Sequence, residues 1–474
     1  MLNVHLRITD AATNKPVPVR VRVTDSDGTH FAPLGRSAEF AGGRSEDVGG
    51  HLRAGRERWF YIDGACEMPL PAGVPLRVQA AKGPEWTPLD ATVTLGVGQI
   101  SLRFTIARWT DSRAEGWASV DTRCHFISPH AALLEAQAED LDAVNVLAMP
   151  LQVLTMDANT YTTTPNLLAF SGQVSALERA GHAVFVNTFN AHPVLGKVAL
   201  LNSHRPVFPL AFGGEESDDW GVCDWADQCH RKGGLVVWVD AFEPAGGVTG
   251  GEALVAAILG KIDAIEVCGR PRKSPLMPWV YRLWDAGVRV PLVGASGKDS
   301  NAVQMGAMRT YARMQRSDPS DIKPLVASHA CEAASGPSGW VEAIRAGRTF
   351  VTTGPLLDFT VDGSRAVALV RAPTGSSRVE IVANGEVIAS GEGTAEAALP
   401  EAGWVAARTT DAGFAHTSPV VVGSPARKPA AVAALLALIE QTREWIDTHG
   451  RFANPKRKQT LLDRCADGAR KLND

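Results

Sequence analysis

Residues 116–126 read GWASVDTRCHF, and this stretch decides the fold that we predict for the chain. An apolar strand that ends in polar residues is typical of a binding site, and alternate residues of a strand point to the same side. Asp121, Arg123 and His125 are therefore expected to face one side of the strand end. A neutral imidazole binds metal ions, whereas a guanidinium keeps its proton near neutral pH and cannot be a ligand. Whether the protein catalyses a reaction depends on Arg123.

The composition is that of an ordinary soluble globular protein. The chain has 474 residues, of which 45% are hydrophobic and 21% charged, and this length predicts three or four domains. The net charge of −4 does not favour nucleic acid or an anionic membrane as a partner. No apolar stretch approaches the roughly 20 residues that span a bilayer. We therefore expect neither a nucleic-acid partner nor a membrane partner.

The cysteines and the first residues predict a cytoplasmic protein. The seven cysteines are odd in number, scattered, and never spaced as C-x-x-C, a pattern typical of reduced thiols. Residues 1–10 alternate like a strand and lack the charged start and apolar run of a signal peptide.

Residues 1–108 carry strand signals and almost no helix pattern. Val19, Val21 and Val23 alternate with polar residues and precede a turn signal at Asp27 and Gly28, as expected for antiparallel strands joined by tight turns. The pattern predicts a small β-sandwich domain over residues 1–108, which resembles the carboxypeptidase-regulatory-like modules found beside catalytic domains.

Residues 109–353 alternate between apolar strands and helical patterns. The strands end near residues 121, 149, 187, 240, 267 and 294, and helices are predicted over residues 131–141, 174–180, 225–232 and 252–259. Regular alternation of this length favours a parallel sheet with helices outside it, most economically a barrel. Active residues of such barrels lie at the carboxyl ends of the strands.

The last 121 residues are predicted to form a second small β-sandwich domain over residues 354–424 and a helical tail over residues 425–474. The dipeptide Asn384-Gly385 lies between two apolar runs, which is the strongest short hairpin signal. One stripe of apolar residues marks the tail helix. Because this stripe is only weakly apolar, we expect the helix to pack against the barrel.

Residues 117–353 resemble the polymerase-and-histidinol-phosphatase (PHP) superfamily, and within it the CehA/McbA family of metallohydrolases. The most specific stretches are PLVGASGKDSN at 291–301, GAMRTYA at 306–312 and AGRTFVTTGP at 346–355. Further support comes from VDTRCHF at 120–126, AEDLD at 138–142, GKVALLN at 196–202, CHRKGGLVVW at 229–238 and DAIEV at 263–267. The resemblance implies a distorted (β/α)7 TIM-like barrel with divalent metals that activate water for hydrolysis.

The metal-binding pattern of that family is only partly present. The first strand has Arg123 where a histidine is expected, and Lys197 and Asp240 also replace expected histidines. The last strand reads Asp299-Ser300-Asn301, so the carboxylate of an Asp-x-His pair is present and the imidazole is not. The remaining candidate ligands are His125, His192, Asp240, Glu266 and Asp299.

Two arrangements are compatible with this partial set of ligands. In the first, one zinc or manganese ion binds weakly, Arg123 and Lys197 hold an anionic substrate, and Lys298 and Asp299 take part in catalysis. Lys298 acts as a base only if burial lowers its pKa, and otherwise forms an ion pair. In the second, Arg123 pairs with Asp240 or Asp299, Lys298 is a local cation, and no metal binds.

Two hypotheses of function correspond to these arrangements. The first is a PHP-type metal-dependent hydrolase that acts on an ester, carbamate, amide or phosphoester bond with a reduced metal site. The alternative is a non-catalytic protein of the same fold that binds a small anionic ligand or mediates assembly. Both predict a small, anionic molecule as the partner, and the sequence does not predict the oligomeric state.

Overall fold

The computed structural model describes residues 1–40, 48–154, 159–214, 217–314, 339–373, 377–411, 413–424 and 427–474. Within these ranges the chain is a mixed α/β protein with many strands in several sheets and seven α-helices. In the same ranges no helix is long and apolar enough to cross a membrane. Six cysteines are free thiols, and Cys331 lies outside the described residues.

The N-terminal region consists of two sheets that share one apolar core. Its strands are β1 (Leu2–Asp10), β2 (Val19–Asp25), β3 (His30–Phe31), β4 (His51–Ala54), β5 (Glu57–Ile62), β6 (Ala65–Leu70), β7 (Pro75–Ala81), β8 (Leu89–Thr94) and β9 (Ser101–Ile106). One sheet has the order β6-β1-β9, and the other has the order β4-β5-β2-β7-β8 with β3 beside β2. Alternate residues such as Leu6 and Val21 are fully buried between the sheets, as the period of two predicts.

The central region contains a long sheet. Its strands and those of its excursions are β10 (Trp117–Cys124), β11 (Ala143–Ala148), β12 (Leu151–Leu154), β13 (Thr160–Thr163), β14 (Leu177–Arg179), β15 (His182–His192), β16 (Gly196–Leu201), β17 (Leu235–Val239), β18 (Pro244–Ala245), β19 (Val248–Thr249), β20 (Ala264–Cys268), β21 (Leu292–Ala295), β22 (Arg309–Arg313) and β23 (Thr349–Thr352). The order is β21-β20-β17-β16-β15-β11-β10-β22-β23, and β16 runs antiparallel to β15 and β17. A parallel bridge joins Cys124 at the end of β10 to Lys298 after β21.

In the described part of this region, five helices accompany these strands: α1 (Pro129–Ala138), α2 (Val222–Arg231), α3 (Gly251–Ile258), α4 (Met277–Asp285) and α5 (Trp340–Arg345). Leu167–Ala169 forms a 3-10 turn. The strands are buried on both faces: Val236 and Trp238 belong to one apolar cluster, and Val237 and Val239 to another. Burial on both sides explains why β17 is a continuous apolar run rather than an alternating one.

The helix predicted over residues 174–180 is wrong. This segment contains β14, which pairs antiparallel with β15 through Leu177 and Val184. Seven residues are too few for apolar spacing to separate a helix from a strand, and pairing with a long neighbouring strand decides the outcome.

Five of the eight C-terminal strands in the described residues continue the central sheet, and the other three form a separate sheet. The eight strands are β24 (Leu356–Asp362), β25 (Arg365–Arg371), β26 (Arg378–Ala383), β27 (Glu386–Glu392), β28 (Thr394–Ala398), β29 (Ala402–Thr409), β30 (Ala415–Thr417) and β31 (Val420–Gly423). β30 pairs with β23, so β29, β26 and β27 extend the sheet. The predicted hairpin is confirmed, with Asn384 and Gly385 at φ +49° and +87°, as a type I′ turn requires.

Helices α6 (Pro429–Thr448) and α7 (Pro455–Asn473) form the tail. They pack against α3, and Leu435, Ile439 and Leu461 are buried in the same cluster as Leu254. The apolar stripe of the tail therefore packs against other residues of this chain.

Polar contacts fix the N-terminal region to the central one. Glu139, at the end of α1, accepts hydrogen bonds from Arg20 and from Tyr61. Asp140 accepts from the indole of Trp86 at 2.9 Å and from Arg108 at 2.7 Å. The acidic stretch at residues 138–142 thus joins two parts of the chain.

Candidate ligand-binding site at the strand ends

A cavity of about 420 Å³ lies where β17 and β20 end and β16 begins. The three chain segments meet there because β16 runs antiparallel to β17, which places its first residues beside the last residues of its neighbour. Its walls carry six formally charged side chains: Lys197, Asp240, Glu243, Arg270, Arg272 and Lys273. The position matches the expectation that functional residues follow the carboxyl ends of the strands.

Arg123 lies next to Asp240 and Cys268 of the cavity wall and is paired with Glu266. Its Nε and Nη2 atoms each donate to one Glu266 carboxylate oxygen at 2.7 Å, and the two residues are 5% and 0% exposed. Burial alone would lower the pKa of Arg123, but the charge and hydrogen bonds of Glu266, with smaller contributions from Cys268 and Asp240, together raise that pKa. The guanidinium is therefore a fixed internal cation, and it joins β10 to β20.

Asp240 directly follows β17 and has a left-handed backbone conformation, with φ +49°. Its Oδ2 atom accepts from the Lys197 ammonium at 2.8 Å, and its Oδ1 atom lies 3.9 Å from Arg123 Nη2. Burial would raise the pKa of Asp240, but Arg123 and Lys197 reverse the effect and lower it. This carboxylate is charged and already has two cationic neighbours.

Asp299 is 4% exposed and forms an ion pair with Arg270, which follows β20. Glu266, Asp240 and Asp299 are thus paired with Arg123, Lys197 and Arg270. Every carboxylate predicted to hold a metal has an arginine or lysine as its partner.

His125 is buried beside these pairs as a neutral imidazole. Its Nδ1 atom lies 3.2 Å from the Leu147 carbonyl oxygen, which only accepts hydrogen bonds, so Nδ1 carries the proton. Burial, reinforced by Arg123, lowers the pKa of His125 to about 3. The lone pair is therefore on Nε2, and Phe189 packs edge-on against the ring.

Lys298 and Glu135 form an ion pair in the interior. The Lys298 ammonium lies 3.2 Å from Glu135 and donates to the carbonyls of Ser300 and Val303, and both charged side chains are fully buried. Burial raises the pKa of Glu135 to about 7. Neither residue lines the strand-end cavity, so the structure does not bring the predicted catalytic lysine to a ligand bound there. The ion-pair alternative is what the geometry shows.

His192 lines the cavity, but both of its ring nitrogens are occupied. Nε2 donates to Asp218 at 2.9 Å, and Nδ1 accepts the backbone N–H groups of Val194 and Leu195. This imidazole is held as a turn-stabilising group and has no free lone pair for a metal.

The carboxylate of Asp121 in β10 has a structural role. It is fully buried and accepts backbone N–H groups from Ser296 at 3.1 Å and Gly306 at 2.8 Å. Burial raises the pKa of Asp121, although these hydrogen bonds act to lower it. The residue ties β10 to the two segments that follow β21, so its role in the described structure is positional.

Sequence reasoning missed three cavity cations: Arg270, Arg272 and Lys273. Arg272 donates to the Ala241 carbonyl and lies 3.3 Å from Glu243, whereas Lys273 is exposed. A basic run directly after the buried strand β20 was the available signal, because charges next to a buried strand end lie at the mouth of a parallel sheet.

These donors do not fit a metal centre. Within the part of the chain that the structure describes, no group of three or more histidine, cysteine, aspartate or glutamate side chains is arranged to hold an ion. The carboxylates of Asp240, Glu266 and Asp299 each form an ion pair with an arginine or lysine. A fixed cation next to a metal site lowers the affinity of that site for the metal. His125 retains a lone pair, but one imidazole supplies a single ligand.

Comparison with known proteins gives no independent assignment: no family model, curated protein or solved structure matches this chain.

Proposed function

We propose that this chain is a non-catalytic relative of the PHP hydrolases, in which ion pairs occupy the place of the metal ions and the strand-end cavity binds a small anionic ligand. The proposed fold is a distorted seven-stranded barrel built from β10, β11, β15, β16, β17, β20 and β21. Two backbone hydrogen bonds support closure, because Gly297 N–H donates to Arg123 O at 3.1 Å and His125 N–H donates to Lys298 O at 2.6 Å.

The replacement of metal ions by cations rests on one observation. Arg123 occupies a strand-end position expected to hold a histidine, and its guanidinium holds Glu266 with two hydrogen bonds of 2.7 Å. A planar guanidinium fits a carboxylate bidentately and keeps its charge at any physiological pH. It therefore neutralises the carboxylate permanently, a role that a metal ion has in a hydrolase.

The ligand class follows from the charges of the cavity. Its walls carry Lys197, Arg270, Arg272 and Lys273 against two carboxylates, Asp240 and Glu243. Lys273 is exposed and forms no ion pair among the described side chains, so its charge is available to a ligand. A cavity of this size, about 420 Å³, is within the range that holds a metabolite-sized molecule.

The hydrolase hypothesis keeps one specific support, which is His125. A neutral imidazole with a free lone pair is the form that ligates a metal or accepts a proton. Hydrolysis would also require carboxylates that are free to ligate, and Glu266, Asp240 and Asp299 are each engaged with a cation.

Two measurements on the full chain test the proposal. Protein purified without chelator should hold less than about a tenth of an equivalent of zinc or manganese, whereas close to one equivalent would favour the hydrolase. Binding of citrate and of glycerol phosphate should then be measured by calorimetry for the wild type, Lys273→Ala and Lys197→Ala.

Lys273→Ala and Lys197→Ala should each weaken the binding of citrate, of glycerol phosphate or of both several-fold. Lys15→Ala removes an exposed lysine that does not line the cavity and is the matched control for net charge. Equal affinities in the control and in both cavity variants would contradict the proposed site.

A further inference from the structure

Residues 48–53 of the N-terminal region, here called the 48–53 segment, reach the carboxyl ends of the central strands. The segment ends in the first residues of β4. Its first residue, Val48, is 8% exposed and belongs to the same apolar cluster as Cys124 at the end of β10 and Ile127 before α1. One side chain of the N-terminal region is therefore part of the core of the central region.

Gly49 fits against α1 only because it has no side chain. A Cβ atom at this position would lie 2.6 Å from the Cβ atom of Ala131 and 3.0 Å from the Cγ1 atom of Ile127. Its φ of +119° is one that residues with a side chain rarely adopt. The backbone of the 48–53 segment is thus packed directly against the helix.

The loop of residues 296–301, which follows β21, accepts two hydrogen bonds from this segment. Asn301 Oδ1 accepts the N–H of Gly49 at 2.8 Å, and Asn301 O accepts the N–H of Arg53 at 2.7 Å. Asn301 is 2% exposed, so water is a poor substitute for these donors. Asn301 stands where the family resemblance predicts a histidine ligand, and in this chain the residue holds the N-terminal region instead.

A second connection between the segment and the loop passes through α1. The N–H of Gly50 donates to Glu135 Oε1 at 2.9 Å, and Glu135 Oε2 lies 3.2 Å from the ammonium of Lys298. The carbonyl of Lys298 accepts the N–H of His125 at 2.6 Å, which ties the loop to the end of β10. The 296–301 loop is therefore held by β10, by α1 and by the 48–53 segment.

The same loop packs on two residues that line the strand-end cavity, Cys268 and Arg270. Asp299 forms an ion pair with Arg270. A Cβ atom added at Gly297 would lie 2.8 Å from Cys268 Sγ and 3.2 Å from Arg270 Cδ. A shift of the loop would therefore release the guanidinium of Arg270 and uncover the thiol of Cys268.

We infer that the 48–53 segment is a positioning element of the strand-end cavity: by holding Asn301 it fixes the 296–301 loop, and the loop fixes Arg270 for a bound anion. The N-terminal region thereby contributes to ligand binding without contacting the ligand. The ligand part of this inference rests on the function proposed above. The part that concerns the loop does not, because its contacts form without a ligand.

Thiol labelling of Cys268 in the full chain tests the loop in the absence of any ligand. Cys268 is 9% exposed, and the rate of its modification by a maleimide, followed by peptide mass spectrometry, reports how often the loop moves away. Gly49→Ala places a Cβ atom against Ala131, and Asn301→Ala removes the acceptor of the Gly49 N–H. Gly55→Ala is the matched control, because Gly55 also has a positive φ, +62°, but a Cβ atom there meets nothing within 4 Å.

Gly49→Ala and Asn301→Ala should each label Cys268 at least about five-fold faster than the wild type and Gly55→Ala, as expected for the loss of about one buried hydrogen bond that restrains a local opening. Labelling of Cys465, which is 1% exposed in the cluster of the tail, should not change. Unchanged labelling of Cys268 in either variant would overturn the inference. A parallel rise at Cys465 in both variants would also overturn it, since this would indicate general unfolding.

Calorimetry with citrate and glycerol phosphate then tests the consequence for binding. Gly49→Ala and Asn301→Ala should bind at least one of these anions several-fold more weakly than the wild type, and Gly55→Ala should bind like the wild type. Faster labelling of Cys268 with unchanged affinities would show that the loop does not position groups for the ligand, and the inference would fail. If the wild type bound neither anion, the function proposed for the cavity would fail, while the labelling rates would still decide whether the segment holds the loop.

Discussion

Replacement of Arg123 by methionine should destabilise the protein strongly, because it leaves the Glu266 carboxylate buried without a partner. Glu266 is 0% exposed and Arg123 is 5% exposed, so water cannot replace the lost guanidinium. Breaking a buried pair by removing one partner typically costs about 3–5 kcal/mol of the free energy of unfolding, whereas an exposed pair contributes about 1 kcal/mol or less. Because this pair is buried, we expect Arg123→Met to cost about 3–5 kcal/mol rather than about 1 kcal/mol.

A double substitution separates the cost of an orphaned charge from a loss of packing. The variant with both Arg123→Met and Glu266→Leu replaces the pair by apolar side chains and should regain most of the lost stability, since such replacements are often neutral or stabilising. Arg443→Met is the matched control, because Arg443 forms an exposed pair with Glu440 on α6. It should cause no measurable loss.

The assay is urea unfolding followed by tryptophan fluorescence, to which the buried side chains Trp238 and Trp284 contribute. Midpoints are compared for transitions with the same dependence on urea, because a chain with several cores need not unfold in one step. If Arg123→Met lost no more stability than Arg443→Met, the guanidinium would not be a buried structural partner. A double variant as unstable as Arg123→Met would instead show that packing, and not an orphaned charge, causes the loss.

Three further predictions concern the same region. Arg123→His places a second imidazole beside His125 and releases Glu266, so metal analysis should find more zinc per chain than in the wild type; equal zinc contents would count against a site that only Arg123 blocks. The pKa of His125 is lowered to about 3, below the value of about 6.5 in an unfolded chain, so its contribution to stability is lost as pH falls from about 6.5 towards 3. The loss should reach about 3 kcal/mol at about pH 4, and His125→Gln should show a flatter pH dependence in urea titrations. Lys298→Met should cost less stability near pH 5 than near pH 8, because Glu135, with its raised pKa, takes up a proton in the folded state at the lower pH and becomes neutral; equal losses at both pH values would contradict this assignment.

Local sequence patterns were sufficient for the strands that lead to the site. The apolar run of five residues at β17 is buried on both faces, and so is β20, which is apolar except for Glu266; such runs are distinctive because few loops contain them. The Asn384-Gly385 hairpin was predictable for a similar reason, since its turn depends on two adjacent residues. Features that depend on a few neighbouring residues could be read from the sequence.

Pairings between distant segments could not be predicted in the same way. Glu266 is separated from Arg123 by 143 positions, and the partner expected from the sequence was Asp240 or Asp299. Side chains at several strand ends meet in one place, so charge alone allows several pairings, and the lengths and directions of the side chains select one. The extension of the central sheet through β30 was missed for the same reason, because β23 and β30 are far apart in sequence.

The ion pairs also connect the strand ends around the cavity, and in the function proposed above they hold its shape in place of metal ions. Arg123 joins β10 to β20, Lys197 joins the start of β16 to the end of β17, and Arg270 joins the segment after β20 to Asp299 after β21. Each pair connects strand ends that a shared metal ion would otherwise hold together. Unlike a metal, these cations cannot be removed by a chelator, so chelator treatment should leave the melting temperature unchanged. A strand-end cavity held in this way is preorganised for binding, and binding then requires little ordering of the protein.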